Sequence, residues 1–347
     1  MVRVLVFIKR FIVRHQILVL VAALILGLVA AEVRLRNRSL PAYVTDFIYR
    51  QGADLPVHQP SENLNLLAEL KPDASHVFDD EGKPERTVTI NSLGLRDPQR
   101  EIPKPPGVFR IIIFGSSYTY GAEVNDQETI TKYMEKSLNG KEGQGCRFEV
   151  WNAGVSSFGP AQMTALARRL IAKGSDPDLI LFHVALLGPR GFLDGHIDLD
   201  AYQKDSSLLR EHFVLPFADD SKLWARACSK SRLVLFLVAH YNRAVKKEVR
   251  EKRLAKFTTQ RHSNALNRFA ADFENIPMSS VECPCLDDHD MAVQNLMAKT
   301  AIPLDCLFSP ENVGAEYALL HPPAHVYAEY ADQWIALMME NNLLPRP

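Results

Sequence analysis

The chain lacks an excess of charge of either sign. Its 347 residues contain 40 Lys and Arg against 41 Asp and Glu, so the formal net charge at pH 7 is −1. Domains that bind nucleic acid carry a basic surface, and this composition provides no such footprint. The most basic stretch, Arg243 to Lys256, is interleaved with Glu248 and Glu251, which favours a solvated helix face over an anionic partner. We expect no nucleic acid among its partners.

Cysteine is also scarce, and the five cysteines do not follow a metal-binding pattern. Cys283 and Cys285 are separated by one residue, unlike the usual zinc and thioredoxin spacings. An oxidising compartment would permit a disulfide from this pair to Cys306. The alternative is a metal site that includes Cys283, Cys285 and His289. We predict neither a metal nor an organic cofactor.

Long apolar runs are absent except for one near the N-terminus. It extends from Ile17 to Ala31 and is interrupted only by Gly27, with basic residues on both sides: Lys9, Arg10, Arg14, Arg34, Arg36 and Arg38. The length fits a short membrane span or a long signal-peptide core, and Val29-Ala30-Ala31 would suit signal peptidase. We predict an uncleaved membrane anchor within residues 1–36. The chain has no internal repeat and no low-complexity tract.

A short apolar run further along the chain ends abruptly in small residues. Ile111 to Phe114 are four apolar β-formers, and Gly115, Ser116 and Ser117 follow them. An apolar run bounded by glycine is typical of a strand buried on both faces of a parallel sheet. Open α/β sheets bind their ligands at the carboxyl ends of such strands. Ser117 is therefore the candidate nucleophile, and the plainer interpretation is a tight turn in which small residues avoid clashes.

Further strands and helices alternate after this motif. Phe148 to Asn152 and Leu179 to Val184 are predicted strands, while Asp126 to Leu138 and Pro160 to Lys173 are predicted helices. Parallel strands joined by helices give an α/β fold, a flavodoxin-like three-layer α/β/α sandwich with a parallel sheet. Close to the C-terminus, His321 opens a helical segment that continues to Met339.

In this order the chain resembles the GDSL-type esterase superfamily, also called SGNH hydrolases, and especially its membrane-anchored bacterial members. Thr87 to Arg96 and Pro103 to Arg110 have close counterparts in those members. The resemblance implies that Ser117 is the nucleophile and His321 the base. It further implies that the backbone amides of Ser117 and Gly154 form the oxyanion hole.

The chain departs from the family pattern in three of its motifs. Ser116 stands in place of the family's aspartate, and Leu179 to Gly188 lacks the asparagine that donates to the oxyanion. Leu319 and Ala318 stand where the family has the acid that orients the histidine. Losing such an acid can cost ~10⁴ in turnover, and losing one oxyanion donor about 10²–10³. The candidate substitutes, each with a plainer structural interpretation, are Glu316 or Asp305 for the acid and His183 or Arg190 for the donor.

Three regions are predicted along the chain. Residues 1–36 are the cytoplasmic tail and anchor, 37–106 a stalk and N-terminal extension that packs on the domain, and 107–342 the hydrolase-like domain with a helical insertion at about 221–298. Within the insertion, Ser231 to Lys256 is interpreted as one helix, although Leu233 to Val238 alone would also suit a strand. Ile302 to Leu307 is the candidate for a further strand.

The function implied by the resemblance is that of an esterase, deacetylase or acyltransferase. Its substrate would be an acylated glycan or lipid of the cell envelope. The family arrangement implies a single-pass inner-membrane protein with its catalytic domain in the periplasm. Two alternatives remain: a catalytically silent relative that binds glycan or scaffolds an envelope assembly, and a membrane-tethered protein whose middle helices recruit partners.

Overall fold

The structure of the protein is a computed structural model. The structure describes residues 15–37, 56–61, 63, 66, 68–79, 85–140, 145–156, 158–184, 227, 230–244, 264–282 and 321–345. They fall into two compact units. The smaller unit contains helix α1, Gln16–Arg36, and helix α5, Arg232–Ala244.

The larger unit contains the remaining elements. Its strands are β1 (His58–Pro60), β2 (Ala68–Leu70), β3 (Ser75–Phe78), β4 (Arg86–Thr89), β5 (Val108–Gly115), β6 (Arg147–Gly154), β7 (Leu179–Val184) and β8 (Met278–Glu282). Its helices are α2 (Ser117–Tyr120), α3 (Ile130–Asn139), α4 (Pro160–Ala172), α6 (264–272) and α7 (Ala324–Glu340). A 3₁₀ turn, Asp126–Glu128, precedes α3.

A parallel four-stranded sheet forms the centre of this unit. The strand order is β6-β5-β7-β8, and every neighbouring pair is parallel. The chain therefore adds β6 on one side of β5 and then returns to place β7 on the other side. Doubly wound sheets bind ligands in the crevice outside such a reversal point. Here that crevice lies between the carboxyl ends of β5 and β7, where Gly115 pairs with His183.

Alternate residues of β5 enter two separate cores on opposite faces of the sheet. Ile112 and Phe114 pack in one core, to which α4 contributes Leu166 and α6 contributes Phe269. Ile111 and Ile113 pack in the other, which includes side chains from α3 and α7 such as Met134, Tyr327 and Trp334. Burying each isoleucine contributes about 1.5–3 kcal/mol. Helices on both faces of a parallel sheet confirm the predicted α/β/α sandwich.

The described part of the N-terminal extension packs against the same unit as two short antiparallel pairs, β1 with β2 and β3 with β4. Val57, Leu70 and Val88 are buried in the core that contains Ile112. Arg96, which follows β4, is buried and reaches the chain that leaves the sheet after β5. The extension thus supports the carboxyl edge of the sheet. The exact domain boundaries stay predictions.

One feature of the middle region differs from the sequence interpretation. The strand beside β7 is Met278–Glu282, which lies inside the stretch interpreted as a helical insertion. Only two of its five residues are apolar, and Ser279 and Ser280 are nevertheless buried, so pairing with β7 outweighs its weak local pattern. Leu233 to Val238 belongs to helix α5, in agreement with the interpretation of this stretch as a helix. Ile302 to Leu307 lies outside the described residues.

Within the part of the chain that the structure describes, α1 is the one helix long and apolar enough to cross a membrane. Its 21 residues extend for about 31 Å at 1.5 Å per residue, close to the ~30 Å of a bilayer core. None of its residues is buried in the protein. A bilayer would cover these apolar side chains, although length and composition alone would also suit a signal sequence.

Candidate active site

Ser117 lies at the carboxyl edge of the sheet, at the reversal point described above. Strand β5 ends at Gly115, Ser116 is the extended residue before the helix, and Ser117 is the first residue of α2. The helix ends after one turn because Gly121 adopts a left-handed conformation with φ of 79°. Ser117 is half-buried.

Two glycines allow α2 to pack closely on the strand ends. Gly115 of β5 pairs with Gly154 of β6. A Cβ at Gly115 would overlap the side chain of Thr119, and a Cβ at Gly154 would overlap the backbone nitrogen of Tyr120. Both glycines are therefore required sterically by the turn that presents Ser117. The presence of Gly154 has this packing reason in addition to its predicted role as an oxyanion donor.

The backbone amide of Gly154 already has an acceptor. It donates a hydrogen bond of 3.0 Å to Oδ1 of Asn152, which is completely buried. An oxyanion at this position would have to share that hydrogen or displace Asn152. The roles of the Ser117 and Gly154 amides in an oxyanion hole stay predictions.

His321 lies beside the residue that follows the candidate nucleophile. The rings of His321 and Tyr118 are 5.3 Å apart between centroids, with the planes at 52°. His321 comes directly before Pro322 and Pro323, which lead into α7, and the α7 helix packs on α3. The structure thus brings Ser117 and His321 to the same edge of the sheet. A direct hydrogen bond between their side chains stays a prediction.

An acidic residue that the sequence interpretation missed lies next to His321. The Oε1 atom of Glu123 is 4.0 Å from His321 Nδ1, and both side chains are about 30% exposed. The family pattern directs attention to residues just before the histidine, whereas Glu123 lies six positions after Ser117 in the chain. Glu316 and Asp305, the acids considered from the sequence, lie outside the described residues.

Arg96 holds the segment that carries Glu123. Its guanidinium group is buried and donates to the backbone carbonyl groups of Tyr120 at 2.9 Å, Val124 at 2.6 Å and Gly121. It also pairs with Asp126 at 2.9 Å. One side chain therefore fixes the backbone on both sides of Glu123. Hydrogen bonds to a charged group are stronger than neutral ones, contributing about 1.5–3 kcal/mol each.

His183, considered from the sequence as an oxyanion donor, is a core residue. It is completely buried, and its Nδ1 atom shares a hydrogen bond of 2.8 Å with Thr119 Oγ1 beneath the Ser117 turn. Its ring meets Trp334 of α7 edge to face, with 5.1 Å between centroids. These contacts support the plain structural interpretation of His183. Arg190, the other donor considered, lies outside the described residues.

The predicted cysteine sites also lie outside the described residues, because Cys283, Cys285, His289 and Cys306 all do. Cys146 is described, and its thiol is free. Within the described ranges, no group of three or more His, Cys, Asp or Glu side chains could hold a metal ion.

Comparison with known proteins gives matches among solved structures only. No family model matches the chain, and no curated protein matches it. The chain is similar to TesA, with 12% identity, a TM-score of 0.37, and coverage of 68% of this chain and 99% of that one. It is similar to a protein from Desulfitobacterium hafniense described as a lipolytic protein of the G-D-S-L family, with 9% identity, a TM-score of 0.35, and coverage of 66% and 98%.

A third similar structure is AlinE4, described as an SGNH-hydrolase family esterase. The identity is 16% and the TM-score 0.33, with coverage of 70% of this chain and all of that one. Two of these similar structures are thus described as members of the superfamily that the sequence resembles.

Proposed function

We propose that the protein is a serine ester hydrolase or acyltransferase that uses Ser117 and His321. The observation that carries this proposal is that His321 lies 5.3 Å from the ring of Tyr118, the neighbour of Ser117, at the reversal point of a doubly wound sheet. A serine hydroxyl becomes a useful nucleophile when a base within reach accepts its proton. Ser117 and His321 are both half-buried, so neither is enclosed in the core.

The chemistry proceeds through an acyl-enzyme. Ser117 Oγ attacks the acyl carbon of the substrate while His321 accepts the serine proton. His321 then returns this proton to the leaving alcohol, and the C–O bond of the ester breaks. Water or a second alcohol then attacks the acyl carbon of the acyl-enzyme. His321 accepts the proton of this nucleophile and returns it to Ser117 Oγ as the acyl–serine bond breaks. The amides of Ser117 and Gly154 stabilise the negative oxygen, which requires the Gly154 hydrogen to leave Asn152 or to be shared with it.

The substrate we propose is an acylated glycan or lipid of the cell envelope. Support comes from α1, whose length suits a single membrane span and of whose apolar side chains none is buried. In this arrangement the protein is a single-pass inner-membrane protein with the larger unit on the periplasmic side. A tethered enzyme would meet acylated material at or near the membrane surface.

A second candidate function is binding without turnover. The favouring observation is the hydrogen bond that occupies the Gly154 amide, together with the absence of an asparagine from Leu179 to Val184. A site with a nucleophile and no competent oxyanion hole would hold an acylated glycan but hydrolyse it poorly. Such a protein would serve as a glycan-binding or scaffolding component of the envelope.

An assay of the full chain in detergent with short-chain p-nitrophenyl esters distinguishes the enzymatic function from binding without turnover. Ser117→Ala should abolish activity, with a loss of roughly 10³-fold or more. Ser116→Ala is the matched control because its hydroxyl is adjacent, buried and without a hydrogen-bond partner among the described residues, and it should retain activity. Equal activity in all three proteins, or none in the wild type, would favour the binding role.

A further inference from the structure

We propose that Glu123 is the residue that positions His321, replacing the acid that the family carries just before its histidine. This inference rests on the proposed function. Glu123 touches neither the nucleophile nor the reacting atoms in this account. It acts through the imidazole ring alone.

The geometry suits a carboxylate that accepts a hydrogen bond from the Nδ1–H group of the imidazole ring. The 4.0 Å between Glu123 Oε1 and His321 Nδ1 is longer than a hydrogen bond, so the proposal requires the two side chains to approach each other when substrate binds. Catalytic hydrogen bonds are commonly long in an empty site and shorten when the substrate binds. With the proton held on Nδ1, the lone pair of Nε2 is left to accept the proton of Ser117.

The position of Glu123 is fixed by its surroundings. Gly121 reverses the chain after α2 and Val124 is buried in the core, so the two residues bracket a short turn. Arg96 ties the carbonyl groups on both sides of that turn to one guanidinium group. A positioning residue needs such support, because a loosely held carboxylate would not fix the ring orientation.

Neighbouring acids in the described segment have other partners. Asp126 pairs with Arg96 and accepts a hydrogen bond from the Thr89 amide. Glu128 accepts from the backbone and side chain of Asn125, which forms the cap before the 3₁₀ turn. Each of these carboxylates has a structural role within its own turn. Glu123 is the carboxylate that the structure directs toward His321.

The first test is spectroscopic and does not require activity. Nitrogen NMR of the full chain, with histidines labelled with ¹⁵N and His321 assigned through His321→Gln, reports which ring nitrogen carries the proton when the ring is neutral. We expect the proton on Nδ1 in the wild type and a mixture of the two tautomers in Glu123→Gln. The charge-matched control is Glu329→Gln, an exposed residue of α7, which should leave the signals unchanged. Identical His321 signals in wild type and Glu123→Gln would overturn the proposal.

The second test uses kinetics. Glu123→Gln should lower kcat roughly 10- to 100-fold with little change in KM, below the ~10⁴ of a fully buried acid because this carboxylate is partly exposed. An unchanged kcat would overturn the positioning role. If the wild type shows no esterase activity at all, the proposed function fails by itself. The tautomer measurement still decides whether Glu123 orients His321.

A separate observation, in the smaller unit, concerns helix α5. We infer that α5 lies in the surface of the bilayer, at the end of α1, and binds anionic lipid headgroups. This inference rests on α1 crossing the membrane, as proposed above. It concerns none of the residues at the candidate active site.

The start of α5 is attached to the last turn of α1. Glu32 accepts hydrogen bonds from Ser231 Oγ at 2.8 Å, from the Arg232 amide at 3.2 Å and from the Leu233 amide at 2.9 Å. Arg36 donates to the backbone carbonyl of Lys230 at 2.7 Å. A carboxylate at a helix N-terminus satisfies donors that the helix itself leaves open. The two helices therefore meet at the carboxyl end of α1.

The length and surface of α5 suit an interfacial position. Its 13 residues extend for about 20 Å, too short for the ~30 Å core of a bilayer. Leu237 and Tyr241 expose 55% and 40% of their surface. Basic residues lie at its start and end, with Lys230 and Arg232 at one and Arg243 at the other. An apolar face flanked by cations is typical of a helix that binds an anionic membrane surface.

The test places a tryptophan on the exposed face of α5. The full chain carrying Leu237→Trp is reconstituted into vesicles of dibrominated phosphatidylcholine, with and without phosphatidylglycerol. We expect bromine to quench the added emission, and more strongly when phosphatidylglycerol is present. Val77→Trp is the control, because Val77 is similarly exposed but belongs to β3 of the larger unit.

Three outcomes would count against the inference in different ways. No quenching of Leu237→Trp in protein that floats with the vesicles would overturn the position of α5 while α1 still anchors the chain. Equal quenching with and without phosphatidylglycerol would overturn the preference for anionic lipid. Protein that does not float with vesicles at all would contradict the membrane anchor and therefore this inference as well.

Discussion

Each end of strand β5 lies near a basic and an acidic side chain, and the surroundings of the two pairs differ. At the amino end, Arg110 is completely buried and donates to Glu149 at 3.0 Å and to the backbone carbonyl groups of Ser175 at 2.5 Å and Glu101 at 3.0 Å. Its guanidinium group also stacks on Trp151, 4.4 Å from the ring centroid. At the carboxyl end, His321 and Glu123 are both about 30% exposed and 4.0 Å apart.

This contrast separates a buried ion pair that stabilises the fold from a partly exposed pair that we propose acts in proton transfer. Burial alone would raise the pKa of Glu149, but hydrogen bonding from Trp151 and the charge of Arg110 outweigh burial and lower that pKa. Glu149 is therefore held as an anion by the hydrogen bonds from Arg110, Arg147 and Trp151. Both side chains of the pair at the carboxyl end are about 30% exposed, whereas Glu149 is buried.

The largest effect should come from breaking the structural pair. Arg110→Met leaves Glu149 buried without its main cation, and the free energy of unfolding should fall by about 3–5 kcal/mol. Arg147→Met is the matched control, because Arg147 pairs with the same carboxylate from an exposed position and should cost about 0–1 kcal/mol. Urea unfolding of the full chain in detergent measures both. Equal losses would contradict the distinction between the two ends of β5.

A pH effect of about 3 kcal/mol should come from His58, a buried histidine close to the site. Its ring lies 5.6 Å from that of Tyr120, and burial lowers its pKa from 6.5 to about 4. The unfolded chain therefore takes up this proton near pH 6.5, but the folded chain does so only near pH 4. Stability should fall as the pH falls through that window, and this contribution should be constant above it.

His58→Leu isolates that contribution from the other titrating groups. Unfolding free energies of wild type and variant are compared at several pH values between 4 and 7.5. The wild type should lose more stability on acidification than the variant. Parallel curves for the two proteins would show that His58 does not titrate differently in the folded and unfolded chains.

A smaller loss should follow from Gly154→Ala. The added Cβ would overlap the backbone nitrogen of Tyr120, so the α2 turn must shift, at a cost of roughly 1–3 kcal/mol. The same shift would move Ser117 and reduce esterase activity. Gly145→Ala, where nothing lies within 4 Å of the new atom, should leave both quantities unchanged. A free energy of unfolding equal to that of the wild type would show that close packing against Tyr120 does not require glycine at position 154.

The smallest effect should come from Ser116→Ala. The Ser116 hydroxyl is buried and has no hydrogen-bond partner among the described residues. Removing such a group relieves a desolvation cost of about 1–3 kcal/mol, part of which is offset by lost packing. We expect a slightly more stable protein by thermal unfolding. A clear loss of stability would indicate that this hydroxyl is bonded in solution.

The central strands could be predicted because burial on both faces makes them continuous apolar runs. Ile111 to Phe114 and Leu179 to Val184 have this pattern, and the latter strand has the predicted bounds. Strand β8 could not be predicted in the same way. Its sequence, Met-Ser-Ser-Val-Glu, has no apolar run, and its hydrogen bonds to β7 hold it in the sheet. Such long-range pairing has no local signal.

The site could be predicted in part. Ser117 follows from its position at the end of a buried strand, and His321 follows from the order of family motifs. Glu123 could not be found because its approach to His321 depends on the one-turn helix α2, the reversal at Gly121 and the bonds from Arg96. None of these is evident in the sequence around the histidine.

The most direct measurement is the mapping of a fluorophosphonate adduct by mass spectrometry on the full chain. The account predicts that the adduct lies on Ser117 in the wild type and in Ser116→Ala, and that it disappears in His321→Ala. An adduct that is absent from Ser117, or that is undiminished in His321→Ala, would contradict a nucleophile activated by this histidine.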